Sequence, residues 1–488
     1  MKNNNTSLSI TEKVGYSLGD LAANLIFQTL MTFLAFFYTD VYNIPASKAA
    51  AIIFTGGMIG ACFNPIMGII ADRTVTRWGK FRPWILWTSV PFGISALLAF
   101  STPDFSDDGK IIYALSTYIF LVIMYSANNL PYAALSGVLT GNMKERNSLS
   151  SYRFVAVMLA QFIIQVLLLP LIIILGDGDK ALGFSKIMTF FAIVGIVCFL
   201  ITFITTRERV VTSAEQKSSI KQDILDLMKN RPWVIILSVT ILIFITLALK
   251  GGMTIYYFEH FLNKDQVALF LDSSGFNTLI SNLNSLLIGV GLSEFQWPKD
   301  AATSGFSLFN ACGILFMILG IFISKPLADR YGKRDVFSLA LTIATSTLAL
   351  FYFYSPTSII AVFTTQIIHG FFYGVTIPLL WAMIADVADY SEWKNNRRAT
   401  AIIFSAMIFG LKVGLSVGGS LVAIILAYYG YNNELAVQAP ETAQGIKLSI
   451  SVFAAIPFAL AIIILFAYEI NRKMEHVIES ELLQRRAT

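Results

Sequence analysis

The chain has 488 residues, of which 56% are hydrophobic and only 13% charged, and its mean hydropathy is +0.68. A soluble domain carries about a quarter charged residues, so this balance points to membrane spans and away from a soluble enzyme or binding module. The net charge of +5 does not mark a nucleic-acid binder, because the Lys and Arg residues sit in short loops between apolar runs and not in one patch.

The first 13 residues are polar and lack an apolar signal core, so no cleaved signal peptide is expected. A span needs about 20 apolar residues. About twelve candidates follow in order, at roughly 14–41, 47–71, 83–101, 111–138, 152–175, 186–206, 233–262, 304–327, 335–354, 358–385, 400–428 and 446–469. An even number places both termini on one side. Of the 35 Lys and Arg residues, 25 fall in the tails and in the loops after even-numbered spans, against 7 on the opposite side. Both termini are therefore expected in the cytoplasm. Residues 207–232 are the one long connection on that side, rich in Lys, Glu and Ser, with an amphipathic piece from Ile220 to Met228. They divide the chain into a bundle at 1–206, a cytoplasmic loop at 207–232, a second bundle at 233–470 with an outside insertion at 263–303, and a tail at 471–488. In the insertion, Asn277 to Leu292 is apolar with interleaved Asn and Ser, and reads as a surface helix, a lid or a structural hairpin.

A repeated loop supports two similar halves. Gly68 to Trp84 places Arg73, Arg77, Lys80 and Arg82 after Asp72, between two apolar runs; Ser324 to Arg334 does the same with Asp329, Arg330 and Arg334. Asp72, Arg73 and Arg77 with Asp329, Arg330 and Arg334 are expected to form a breakable latch on the cytoplasmic side. Cys62, Cys198 and Cys312 lie inside apolar runs without metal-ligand spacing and read as small buried hydrophobes, so neither a metal site nor a cofactor is expected.

Polar groups inside spans are costly and usually line a cavity. In the first span Asp20, Asn24, Gln28 and Thr32 recur every four residues and form one stripe on a helix. The fourth span carries Ser126, Asn128 and Asn129 just before Pro131, and the fifth sets Arg153, Gln161 and Gln165 on one face. The seventh has Lys250 beside Gly251 and Gly252, then Tyr257 and Glu259. The tenth has Thr365, His369, Tyr373 and Thr376 at helical spacing, followed by Pro378 and Trp381. The eleventh carries Lys412 near its middle, with Ser405 and Ser416 on the same face. Arg153, Lys250 and Lys412 bias the set to positive charge, which favours an anionic or carboxylate-bearing substrate. Aromatic faces with amides suit a sugar. Asp20 and Glu259 are the candidate coupling or proton-carrying carboxylates. No nucleophile–base set or HExxH accompanies them, so an enzyme is not expected.

In these residues the chain resembles the major facilitator superfamily, through Gly68 to Arg73 and its echo at Asp329 to Arg334. More closely it resembles the glycoside–pentoside–hexuronide:cation symporters, the group of the melibiose carrier. Gly15 to Asp20, Tyr38 to Asp40, Asn64 to Gly68, Arg77 to Trp84, Leu130 to Tyr132, Glu145-Arg146, Arg153-Phe154, Ile255 to Phe258 and Ala385 to Tyr390 carry that resemblance. It implies an all-α integral membrane fold of about twelve helices in two pseudo-symmetric six-helix bundles, the major facilitator fold. It also implies sugar transport by alternating access, coupled to Na⁺ or H⁺. The family's sugar-binding carboxylates fall on Asn24 and Asn129, its fifth-span arginine on Arg153 and its eleventh-span lysine on Lys412. Its tenth-span tryptophan falls near Ile377, with Trp381 one turn away. The family's second-span cation ligands fall on Gly60, Asn64 and Phe63, a poor set for a hard cation that wants carboxylate oxygens.

The expectation is therefore a monomeric sugar importer of the cell (inner) membrane, favouring acidic glycosides or hexuronides and coupled to H⁺ in preference to Na⁺. Its substrate contacts are expected at Asn24, Gln28, Asn128, Asn129, Arg153, Lys250, Tyr257, His369, Trp381 and Lys412. A uniporter, a Na⁺-coupled carrier of neutral oligosaccharides and a lysolipid or other amphiphile carrier are the alternatives.

Overall fold

The computed structural model describes residues 8–140, 143–209, 229–289, 297–395 and 400–487. Among them every regular element is helical, and an isolated bridge between Thr76 and Gly79 is the one β contact. The piece expected at Ile220 to Met228 and the side chains of Asp72 and Ser405 lie outside the described residues. Two compact units form, Met1–Glu215 with Ile280–Ser307, and Gln216–Leu279 with Leu308–Thr488.

The first unit contains α1 (Ile10–Phe36), closed by a π-helical turn (Phe37–Val41), α2 (Ala46–Arg73), α3 (Arg82–Ala99) and α4 (Asp107–Leu139). It continues with α5 (Met143–Phe162), whose π-helical turn (Ile163–Leu167) leads into α6 (Leu168–Gly176), and α7 (Lys180–Thr205). The second unit opens with α8 (Arg231–Tyr256) and its π-helical turn (Tyr257–Phe261). Two short helices follow, α9 (Lys264–Ser273) and α10 (Phe276–Gly289); the second continues into the part of the chain that belongs to the first unit. Then come α11 (Ala301–Tyr331), α12 (Lys333–Leu350), α13 (Ile359–Asn395), α14 (Thr400–Tyr428), α15 (Pro440–Leu448), a π-helical turn (Ser449–Phe453), α16 (Ala454–Leu465) and α17 (Arg472–Ala487).

Of these, 11 segments are long and apolar enough to cross a membrane. α3, with 18 residues and one charge, at Arg82, is not among them. Large apolar side chains such as Ile204 and Phe322 stay more than 70% exposed, as expected where lipid and not water is the neighbour. Helix starts follow local polar chemistry. Asp179 accepts from the backbone of Ala181 and Leu182, and Asn230 from Trp233 with Pro232 in the first turn.

The packing repeats between the halves. In the first unit α1 packs on α5 and α7, α4 on α2 and α3, and α3 on α7. In the second, α8 packs on α14 and α16, α13 on α12, and α12 on α16. Glycines of α13 and α11 meet backbone to backbone, completing the correspondence with α4 on α2. The loop repeat has a structural basis too. Gly79 (φ +113°) and Gly332 (φ +93°), each just before a Lys, take left-handed conformations that a side chain disfavours.

Two expectations change, and the expected tail is largely helical. The tenth span runs to Asn395 and not to 385, because its polar end packs on α17, where Trp393 Nε1 donates to Glu481 Oε2 at 2.7 Å. The expected C-terminal tail is that helix α17. Cys62 is exposed on the apolar surface, and Cys198 alone of the three thiols is fully buried.

Candidate functional site

The first unit builds its polar group on the α1 stripe. Asp20, 4% exposed, pairs with Arg153 Nε from α5. The Arg153 guanidinium lies 5.6 Å and 5.5 Å from the ring centres of Tyr16 and Tyr132, a cation held by two π faces and one carboxylate. The two rings stack at 4.6 Å, and each hydroxyl donates to the other's carbonyl, at 2.8 Å and 2.6 Å, tying α1 to α4. Arg153 is thus neutralised inside its own bundle. Further along the stripe, Asn24 Nδ2 donates to the Asp20 carbonyl at 2.9 Å. Gln28 Oε1 and Thr32 Oγ1 are buried with no hydrogen-bond partner among the described residues. On α4, Asn128 Nδ2 donates to Thr88 Oγ1 at 2.9 Å while its Oδ1 is buried without a described partner, and Asn129 is half-buried beside it. Buried polar atoms almost always find a partner, so these three oxygens stand out among the described residues.

In the second unit, Lys250 of α8 is 9% exposed, and its Nζ donates to Gln366 Oε1 of α13 at 2.8 Å. The Phe309 ring centre lies 6.0 Å from Nζ. One turn from Gln366, His369 Nδ1 sits between Thr347 Oγ1 (3.0 Å) and the Ala344 carbonyl (3.1 Å). The Thr347 hydroxyl donates to that same carbonyl, so the ring proton is assigned to Nδ1 and Nε2 keeps its lone pair. Tyr373 stacks parallel to His369 at 6.1 Å. Tyr257 packs on Phe261 and Phe351, and its hydroxyl is buried without a described partner. Trp381 is 39% exposed, and Lys412 is half-buried on α14. Glu259 lies in the π-helical turn after α8, 3.7 Å from His260 Nε2, which also meets the Tyr431 hydroxyl at 3.3 Å.

Asp72 aside, the residues expected to form a latch are described within their own units. Arg77 lies over Trp78 at 4.6 Å, and Arg73 is exposed. Asp329 and Arg330 are exposed, with the Arg330 guanidinium 5.2 Å over Tyr331 and the Arg330 carbonyl accepting from Arg472 at 2.7 Å. Arg334 pairs with Asp335 at 3.0 Å and donates to the Tyr468 carbonyl at 3.1 Å.

Sequence reasoning assigned no role to the acids that organise this face, although Glu145 and Asp386 lie in stretches that carry the family resemblance. Glu208 accepts the backbone N–H of Lys80 (2.9 Å), Phe81 (2.8 Å) and Arg82 (2.9 Å), placing a carboxylate on the N-terminus of α3. Arg82 answers by donating to the Phe203 carbonyl at the end of α7, at 2.6 Å. Lys333 bonds both Asp386 oxygens, at 2.5 Å and 2.6 Å. Arg209 grips Glu12 in a fork at 2.7 Å and 3.0 Å. Lys13 binds Glu145 at 2.9 Å, and that hydrogen bond, with one from the Leu8 backbone, holds the Glu145 carboxyl below its usual range. The available signal was a lone acid between two bases, Arg207-Glu208-Arg209, directly after a span. Glu208→Gln keeps the shape but cannot accept three N–H groups at once. It is expected to lower stability by roughly 2 kcal/mol, read as a lower thermal midpoint in detergent, while Glu208→Asp loses less.

Comparison with known proteins follows the same outline. The sequence model described as MFS/sugar transport protein matches residues 15–287 and 300–472. The chain is 34% identical over 452 residues to the inner membrane symporter YicJ of Escherichia coli (strain K12), covering 92% of this chain and 89% of that protein. It is 30% identical over 481 residues to the isoprimeverose transporter of Lactiplantibacillus pentosus, covering 98% and 92%. The crystal structure of the nucleoside transporter NupG shares the fold, with a TM-score of 0.60 at 14% identity, covering 94% of this chain and 100% of that one. The membrane-length helices, their repeated packing and the polar residues buried among them belong to a multi-pass membrane carrier and not to an enzyme, and the chain is a member of the MFS/sugar transport protein family.

Proposed function

We propose that this protein imports a glycoside or hexuronide, acidic sugars in preference to neutral ones, by alternating access coupled to inward proton flow. The observation that carries the sugar reading is the set of buried acceptors on α1 and α4: Gln28 Oε1, Thr32 Oγ1 and Asn128 Oδ1 have no described protein partner. A hydroxyl-rich ligand supplies the missing donors. The names of the relatives, a symporter and an isoprimeverose transporter, support the class. The preference for acid rests on Lys250, a buried cation whose described partner is a neutral amide.

In this reading the bundles at 1–206 and 233–470 are the moving bodies of a monomer, joined by the loop at 207–232. Asn24, Gln28, Asn128 and Asn129 serve the substrate from the first bundle, and Arg153 is poised beside them by Asp20. Lys250, Tyr257, His369, Trp381 and Lys412 serve it from the second. The basic face is cytoplasmic, and its loops, with Asp72, Arg73, Arg77, Asp329, Arg330 and Arg334, close that side when the site opens outward. Gly60, Phe63 and Asn64 offer no carboxylate for Na⁺, which favours H⁺.

The test is uptake into proteoliposomes of a glucuronide against its neutral glycoside, under a pH gradient, a Na⁺ gradient or neither. Glucuronide uptake at least about tenfold faster than that of the neutral glycoside, a difference of about 1.4 kcal/mol, and driven by outside acid, is the expected result. Equal uptake of both sugars removes the acidic preference, and uptake driven only by Na⁺ removes the proton.

A further inference from the structure

We propose that Lys250 is the site of the coupling proton, and that this proton and the substrate's carboxylate enter and leave as a pair. This rests on the acidic-sugar, proton-coupled reading above and supplies its coupling device.

The argument starts from what surrounds the ammonium. Gln366 Oε1 accepts from Nζ at 2.8 Å and the Phe309 ring centre is 6.0 Å away; both partners are neutral. The elements packed on α8 bring few titratable groups. The π-helical turn that follows α8 carries Tyr257, Glu259 and His260, with Glu259 beside His260. On α13 stand His369 and Tyr373, then, at the basic face, Asp386, which holds Lys333. Lys412 stands on α14, and Cys312 on α11 beyond Phe309. Neither α16 nor the π-helical turn before it carries a titratable residue. Between Glu259 at one end and Asp329, Asp335, Asp386 and Asp389 at the other, the long helices of this unit contain no carboxylate.

A buried ammonium with neutral partners is costly. The cost falls in two ways: the amine loses its proton, or an anion arrives. A carboxylate entering the same surroundings alone meets the same cost. Proton and carboxylate therefore favour each other's binding, and by linkage the effect is reciprocal. In the cycle, the neutral Lys250 amine takes a proton from outer water, and the ammonium pairs with the substrate's carboxylate. On the inner side the carboxylate leaves, the ammonium gives its proton to inner water, and the amine returns uncharged, still donating to Gln366. One proton accompanies each sugar acid, and no net charge moves. Gln366 is a positioning residue: a Cβ on Gly313 of α11 would fall 2.3 Å from its Nε2, so the bare glycine admits the amide.

The experiment uses the full chain in proteoliposomes with a glucuronide. Wild type is expected to take it up under a pH gradient at a rate that an imposed membrane potential leaves unchanged. Lys250→Arg keeps an anion partner but cannot shed its proton. Counterflow exchange is expected to fall several-fold with the altered anion contact, while pH-driven net uptake falls much further, at least about 20-fold, because the empty carrier must return charged. Gln366→Glu gives Lys250 an internal counter-anion. It is expected to weaken glucuronide binding more than about tenfold and flatten the pH dependence, and it decides the matter where the Arg variant does not fold. Wild-type accumulation by Lys250→Arg, unchanged binding in Gln366→Glu, or wild-type uptake driven by membrane potential overturns the assignment. Wild type that carries neutral and acidic glycosides alike removes the functional reading itself. Glucuronide-selective, pH-driven wild type with an indifferent Lys250→Arg removes the Lys250 assignment alone.

Discussion

Asp20→Asn is expected to abolish uptake and to lower the thermal midpoint by several degrees. The carboxylate is 4% exposed and holds a guanidinium that also rests on the faces of Tyr16 and Tyr132. Removing it leaves a cation in the bundle with π faces for company. Breaking a buried pair from one side costs about 3 kcal/mol or more; here the cost falls at the lower end of that range, because the Arg153 side chain that keeps its charge is 29% exposed. A loss of about 3 kcal/mol falling on one of two conformations shifts their ratio more than about a hundredfold. Arg153→Gln alone is expected to act as severely, and the double variant Asp20→Asn with Arg153→Gln to recover part of the stability, because no unpaired charge remains. A double-mutant cycle on thermal midpoints checks this; strictly additive losses mean the two side chains are not coupled. Arg153→Lys falls between, keeping the charge but losing the planar group that lies over two rings.

Gly374→Val and Gly370→Val are expected to yield little folded carrier. A Cβ at Gly374 would stand 2.1 Å from the Met317 carbonyl oxygen, one at Gly370 2.4 Å from that of Gly313, and one at Gly320 2.0 Å from that of Phe371. These atoms belong to helix backbone and cannot rotate aside, so α11 and α13 must separate along their contact. Van der Waals packing holds membrane helices together, and that separation removes it over several turns. Even Ala is expected to cost about 1–3 kcal/mol at either position. Gly56 of α2 provides the contrast. Its Cβ would meet the Tyr118 ring at 2.2 Å, a side chain able to turn, so Gly56→Ala is expected to be milder. Monodisperse yield in size-exclusion chromatography, with the thermal midpoint of whatever is recovered, ranks these variants. A Gly374→Ala protein as stable as wild type would show that the helix pair has slack.

The α1 stripe was readable because a helix returns to the same face every four residues. Asp20, Asn24, Gln28 and Thr32 therefore share a side whatever α1 packs against. The loop repeat was readable for a similar local reason. Its glycines, Gly79 and Gly332, mark positions where the backbone turns left-handed, and a turn writes its residue preferences into a few adjacent positions. The charges were read less well. Arg153, Lys250 and Lys412 looked alike as cations inside spans, yet the structure separates them. Arg153 is matched by Asp20 and two tyrosine rings, whereas Lys250 meets a neutral amide.

By itself the sequence determined the order and approximate places of the apolar helices, the two-fold repeat and the polar face of α1, since each depends on hydrophobic length or periodicity along a continuous segment. The tertiary structure alone decided that Asp20 belongs to Arg153, Lys250 to Gln366, and Glu208 to the start of α3. Each of these pairings spans more than 100 residues. It depends on how each helix is rotated about its axis and how closely it approaches its neighbour, which glycines and aromatic rings on other helices set jointly.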